Sequence, residues 1–330
     1  MPTIYFSTNR NPNRREDPDD FGGEFSSKAI DDLRFGKADL VKDGDAFKVA
    51  GIHVASERLK ADPAKSKLGS RGLFDDLMGQ MQKEVHSLVF IHGYNVTFKE
   101  ALIAGARIHE KYAQRYAMNV IVFSWPSDGS MMPLLAYKRD RTDAAASAPA
   151  FGRALMKLSD FLAEVRRGRE CKARIHLMAH SMGNYVLRNG IQEVKRHLGH
   201  LPRLFDQIFL MAADEDDDAF ELDHKLKPLP NLGAGVNVYF NRGDTALVIS
   251  DRTKSNPTRL GSQGPREPLN VPGNVSLVDV SEVVSGVLEH SYFWEDPKTV
   301  SDVIEVMKGR PADVIEKRRY LASQNRYVLG

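Results

Sequence analysis

Residues Arg174 to Asn184 read RIHLMAHSMGN, and the fold turns on how this stretch is read. Arg174 to Ala179 has the length and apolar character of a buried strand. From Met182 to Leu198 the period changes to 3.6, with Val186, Leu187, Ile191, Val194 and Leu198 on one helical face. Ser181 stands between the two patterns. A strand that turns sharply into a helix puts such a serine in a strained backbone conformation with its hydroxyl presented outward. Small neighbours, here Ala179 and Gly183, keep the turn clear of adjacent strands. The serine also sits at a helix N-terminus, where backbone N–H groups and the helix dipole favour a developing negative charge. The plainer reading of Ser181 is a helix N-cap.

Outward from this stretch the same order repeats. Ser87 to His92 (SLVFIH) is a continuous apolar run, as in a strand covered on both faces. Gly93-Tyr94-Asn95 follows as a turn, and Thr97 with Glu100 forms a capping box. The helix after it has Phe98, Ala101, Leu102, Gly105, Ile108 and Tyr112 along one side. Further strands are expected at Asn119 to Trp125, Gln207 to Ala212, Val236 to Phe240 and Val275 to Val280, with a helix at Phe151 to Val165. Early strands are expected at Thr3 to Ser7 and Phe47 to Val54, separated by a loop from Asn9 to Lys28. Consecutive βα units with right-handed crossovers give an α/β fold, a mostly parallel doubly wound sheet flanked by helices. We expect one domain: residues 1–85 as an N-terminal extension of strands and loop, 86–308 as the core, and 309–330 as a helical tail. Pro126 to Pro149 and Arg252 to Gly273 read as irregular stretches that line or cover a site, or as surface excursions.

Composition narrows the function classes. With 42% hydrophobic and 27% charged residues, the 330-residue chain can bury a sizeable core. Lys and Arg number 46 against 44 for Asp and Glu, a net charge of +2, so no global field argues for nucleic acid. The single cysteine, Cys171, excludes an internal disulfide and a cysteine zinc site and is read as a packing residue. His176 and His180 straddle a strand and a turn, so they are not the same-face helical pair of a zinc site, and no metal is expected. Lys195-Arg196 and Lys317-Arg318-Arg319 read as solvated helix faces, while Arg139, Arg141 and Arg242 are candidates for an anionic substrate group or for surface pairs. The N-terminal MPTIYFSTNR is too short in its apolar run for a signal peptide and no transmembrane segment is seen, so the chain is read as soluble and cytoplasmic.

Ala179 to Gly183 resembles the G-x-S-x-G nucleophile elbow of the α/β-hydrolase superfamily, with Ala179 replacing the first glycine. His92-Gly93-Tyr94-Asn95 likewise resembles the His-Gly oxyanion segment of lipases and esterases. The resemblance implies an α/β-hydrolase fold, with the backbone N–H groups of Tyr94 and Met182 facing the oxyanion. Gly93 would allow close approach, and His92 would orient the loop by hydrogen bonding. It also implies the order Ser, acid, His along the chain. Two acids then compete: Asp244, in Asn241-Arg242-Gly243-Asp244 after one strand, and Asp214, which opens the acidic run 214–218 after the strand before it. The position of Asp244 is the commoner one in the superfamily. The run has a plainer reading, as acids at the N-terminus of the next helix. The base falls to His290, which follows the last strand and precedes a helix starting at Asp296-Pro297.

The F-I-H-G-Y-N opening, the A-H-S-M-G-N elbow and the late H-S-Y-F are similar to a little-characterised bacterial branch of esterase-like proteins. The implied activity is a metal-independent serine hydrolase that cleaves a carboxylic ester through an acyl-enzyme, with Ser181 as nucleophile, His290 as base and no cofactor. The partner is then a small ester or acyl substrate. Two other readings stand beside it: a catalytically idle scaffold that binds a ligand or partner, and an acyltransferase or thioesterase using the same three residues.

Overall fold

The computed structural model describes residues 2–14, 17–25, 32–55, 69–127, 133–168, 172–247, 258–284 and 290–330. Cys171, the proposed packing residue, lies outside them. The contacts gather into two compact units, residues 1–174 and 175–330.

In the first unit the apolar runs become the inner strands. β1 (Thr3–Thr8) lies parallel to β7 (Met118–Ser124), which lies parallel to β6 (His86–Ile91). The sheet then reverses: β4 (Arg34–Asp43) runs antiparallel to β1 and β5 (Ala46–Val54) antiparallel to β4. Helix α1 (Ser70–Met81) precedes β6, and α2 (Phe98–Tyr112) follows it. The start of α2 is fixed by the capping box, in which the Thr97 hydroxyl accepts the Glu100 N–H and Glu100 accepts the Thr97 N–H. Its whole expected face is buried. Gly105 sets how closely α2 sits on the sheet, since a Cβ there would lie 2.7 Å from a Val122 methyl.

Two expectations fail in this unit. The loop expected from Asn9 to Lys28 contains a short antiparallel ladder of β2 (Arg10–Pro12) and β3 (Phe21–Phe25). The irregular stretch Pro126 to Pro149 is largely helical: α3 (Pro133–Ala146) is followed by α4 (Ala148–Gly168). The reason is visible in α3, where Tyr137, Asp140 and Ala144 share one buried face. An aspartate and an alanine in those places leave no apolar period to read.

The second unit is the more regular. β8 (Ile175–His180), β9 (Phe205–Met211), β10 (Gly233–Phe240) and β11 (Val275–Asp279) are parallel in that order, with β13 (Arg326–Leu329) parallel to β11. Their carboxyl ends therefore lie at one edge, the place where α/β sheets hold their ligands. α5 (Gly183–Leu198) follows β8, α6 (Leu260–Gln263) lies between β10 and β11, and α7 (Tyr292–Glu295) and α8 (Pro297–Met307) follow β11. Asp296 caps α8 by accepting the Thr299 N–H at 2.7 Å. Val186, Leu187, Ile191 and Val194 of α5 are fully buried, but Leu198, expected inside, is 42% exposed: it ends the helix, one residue before the left-handed Gly199.

The C-terminus is not the expected helical tail. β12 (Arg318–Leu321) turns back through left-handed Asn325 onto β13. Gly309 and Pro311 stop α8, and the tail then buries Val328 and Leu329 in strand. Arg318 is not a solvated cation, as its guanidinium is buried against Asp302 of α8 at 2.7 Å and against the Tyr239 hydroxyl of β10. No described helix is long and apolar enough to cross a membrane.

Candidate active site

Ser181 is the residue immediately past β8, and its φ of 53° puts a side-chain-bearing residue in the left-handed region. The turn is held almost wholly by backbone. The Ser181 N–H donates to the Met211 carbonyl at 3.0 Å, continuing the ladder with β9. The Ser181 carbonyl accepts from the N–H groups of Asn184 and Asp214 and from the Asn184 side-chain amide at 3.0 Å, and the same amide reaches the Ala179 carbonyl at 3.1 Å. Met182 then opens α5, and N–H groups in a first helical turn have no carbonyl of their own helix to bond.

At the ends of the neighbouring strands the structure brings Asp244 and His290 together. His290 Nδ1 donates to Asp244 Oδ2 at 2.8 Å, which leaves Nε2 as the basic nitrogen. The other oxygen of Asp244 accepts the N–H groups of Ala246 and Leu247, so the carboxylate is fixed at both ends. Its side chain is fully buried, whereas the imidazole keeps partial exposure. Tyr292, two residues on, is buried and clamps the segment: its hydroxyl donates to the Tyr239 carbonyl at 2.9 Å and accepts the Ala212 N–H at 2.8 Å. Burial and the Asp244 charge raise its pKa well above the ordinary phenol value, so it stays a neutral donor.

Asp214 is engaged elsewhere. It lies 3.5 Å from the buried Arg259 guanidinium, which also pairs with Asp216. Lys225 joins Asp216 and Asp218, Arg266 takes Asp217, and Arg188 takes Glu215. The acidic run thus opens a series of turns rather than the N-terminus of a helix, and its charges are met one by one. Gly261 lets this layer close, because a Cβ there would lie 2.2 Å from the Ala213 nitrogen. Arg242, a candidate for an anionic group, pairs with Asp279 at 2.9 Å.

The first unit carries the His92 to Val96 segment. His92 is buried, with its ring stacked on Trp125 and its Nδ1 donating to the Gly93 carbonyl at 2.8 Å. Burial, and then the nearby Arg10 charge, lowers its pKa to about 3, which makes it a neutral structural ring. Asn95, with φ 57°, donates its N–H to Asp140 Oδ2 at 2.7 Å, and Val96 donates to the Ser127 hydroxyl at 3.1 Å. Ser127 in turn donates to Asp140 at 2.5 Å. The buried Arg10 reaches the carbonyls of Val96, Gly22 and Ser127 and the Ser124 hydroxyl. Tyr94, the expected oxyanion residue, packs its ring edge-on to Tyr137. Among the described residues no group of three or more His, Cys, Asp or Glu is placed to hold a metal ion.

The family described as "Alpha/beta hydrolase of unknown function (DUF900)" matches residues 70–310. The chain belongs to this α/β-hydrolase family. No curated protein matches it. The solved structure described as "Crystal structure of EstE5-PMSF (I)" is similar at a TM-score of 0.34 and 12% identity, over 82% of this chain and 84% of that one, a likeness too slight to carry an argument.

Several residues that build these two segments of the hydrolase escape a sequence reading. Asn184, Tyr292, Arg10 and Asp140 act through contacts with residues remote in sequence or through backbone groups that leave no composition signal. The signals present were local: Asn184 directly after Gly183, and Tyr292 inside the H-S-Y-F run.

Proposed function

We propose that the chain is a serine hydrolase acting on a carboxylic ester through an acyl-enzyme. The observation that carries this is the 2.8 Å Asp244–His290 hydrogen bond at the strand edge where Ser181 sits strained between β8 and α5. In this reading Ser181 Oγ attacks the carbonyl carbon and passes its proton to His290 Nε2. The imidazolium returns that proton to the leaving alcohol as the acyl-enzyme forms. Water then attacks the acyl carbon with His290 again as base, releasing the acid and restoring Ser181. Asp244 holds the tautomer and stabilises the imidazolium without itself taking the proton. The Met182 N–H, at the start of α5, is one donor to the oxyanion; the Tyr94 N–H is assigned as the second from its place in the His92-Gly93-Tyr94 sequence. Asp214, already held by Arg259, is the weaker candidate for the acid.

A fluorophosphonate with intact-mass readout tests the reading. Wild type should gain one adduct and Ser181→Ala none. Asp244→Asn should label roughly 10⁴-fold more slowly, while Asp214→Asn should keep the wild-type rate. A folded wild type without adduct, or a Ser181→Ala protein that labels equally, sinks the proposal.

A further inference from the structure

We propose that His180 is a positioning residue for His290, acting on its main chain; the functional part of this inference rests on the reading of His290 as the base. His180 directly precedes the candidate nucleophile and is 8% exposed. Its Nε2 lies 3.1 Å from the His290 carbonyl oxygen. A carbonyl only accepts, so His180 Nε2 carries a proton and donates it. The two rings lie 4.6 Å apart between centroids, and the His180 ring also packs on Phe293 at 4.8 Å.

His290 is thus fixed at three points. Asp244 holds the ring at Nδ1, Tyr292 holds the segment two residues on, and His180 holds the His290 peptide itself. Asp244 alone leaves the ring free to pivot about the Nδ1 bond, which swings Nε2 away from a line to the nucleophile. The His180 bond removes that freedom by pinning the Cα from which the ring hangs. It also ties the place of the base to the residue next to Ser181, so the strained turn and the imidazole move as one. Displacement of a reacting group by about 1 Å can lower a rate up to roughly 100-fold.

Two substitutions separate the donor from the packing. His180→Phe keeps a flat ring against Phe293 and removes the N–H, whereas His180→Gln keeps an amide donor. One readout is kcat and KM on a p-nitrophenyl ester. The other is the far-downfield proton resonance of His290 Nδ1–H in its bond to Asp244, with thermal unfolding to confirm the fold. In His180→Phe, kcat should fall about tenfold with KM little changed, and the resonance should broaden or vanish. His180→Gln should recover most of kcat and the resonance. Wild-type kcat and resonance in His180→Phe overturn the proposal, as does a Gln variant as impaired as the Phe variant. If His180→Phe does not fold, His180→Leu is the donor-free variant and is read the same way. If the wild type neither hydrolyses the ester nor takes up fluorophosphonate, the proposed function fails separately. The resonance still decides the contact: its loss in His180→Phe upholds the positioning, and its persistence overturns it.

Discussion

The turns that end β6 and β8 are built to one plan and held in opposite ways. Each follows a buried parallel strand, has a histidine at the junction, His92 just past β6 and His180 at the end of β8, contains one residue in the left-handed region, Asn95 or Ser181, and leads into an amphipathic helix. The turn after β8 is tied by backbone groups, its own and those of Met211 and Asp214 at and just past the end of β9, and by the side chain of Asn184, three residues away. The turn after β6 is tied by side chains from Arg10, Ser127 and Asp140, each from a different part of the first unit. A tight turn can satisfy its polar groups with main chain, its own and that of the adjacent strand. A wider one, whose N–H groups and carbonyls reach no adjacent strand, is given side-chain partners from elsewhere. The consequence is that the first turn is sensitive to substitution of distant side chains, whereas the remote tethers of the second are backbone groups that a substitution leaves in place.

The largest test of this difference removes one tether from each turn. Asp140→Ala strands the buried Ser127 hydroxyl and takes the acceptor from the part-buried Asn95 N–H, and should lower stability by about 2–3 kcal/mol. Asn184→Ala should cost about 1 kcal/mol, because the Ser181 carbonyl keeps the N–H groups of Asn184 and Asp214. Denaturant unfolding of the two variants reads both values. Equal losses would break the contrast between a turn tethered by remote side chains and one held by backbone.

The same contrast explains what could be read from the sequence. The turn after β8 is encoded within eleven consecutive residues, so strand, serine, glycine and helical face can all be read together. The capped helix α2 is legible for the same reason. Asp140 could not be found, because its helix buries Tyr137, Asp140 and Ala144 and so carries a carboxylate where an apolar residue would have marked the face. Arg10 looked like part of a polar loop, yet its guanidinium is buried among carbonyls supplied more than a hundred residues away as well as nearby. The C-terminal hairpin was hidden by Lys317-Arg318-Arg319, a charge run whose middle residue pairs internally with Asp302. Asp244 and Asp214 stand at equivalent strand ends, and residue type alone does not separate them. Their partners do: an imidazole for one and Arg259 for the other.

The histidine that opens the turn after β6 sharpens the comparison through pH. His92 binds a proton only near pH 3 when folded, but near the ordinary 6.5 once unfolded. Between those values the unfolded chain holds the extra proton, so stability rises with pH. The contribution is complete above about pH 6.5 and is lost progressively as the pH falls towards 3. Between pH 7 and 4.5 this should remove about 2 kcal/mol. His92→Asn retains a donor for the Gly93 carbonyl but has no titrating ring. Its unfolding free energy, though lower at neutral pH, should fall by that much less over the same interval. An identical pH slope in wild type and variant would mean that the buried ring is not what couples this turn to acid.

The smallest effect lies in the left-handed residues themselves. A side chain in that region costs about 1–2 kcal/mol, except that asparagine tolerates it through its short polar side chain. Glycine removes the strain and gives back part of the gain through the greater freedom of the unfolded chain. Ser181→Gly should therefore stabilise the protein by about 0.5–1 kcal/mol while abolishing fluorophosphonate uptake. Asn95→Gly should stay within about 0.5 kcal/mol of wild type. Thermal unfolding of the two, side by side, measures strain held specifically at the serine. A Ser181→Gly protein no more stable than wild type would show that the backbone bonds from Asn184, Asp214 and Met211 already offset the left-handed conformation, and that the turn after β8 holds its shape without stored strain.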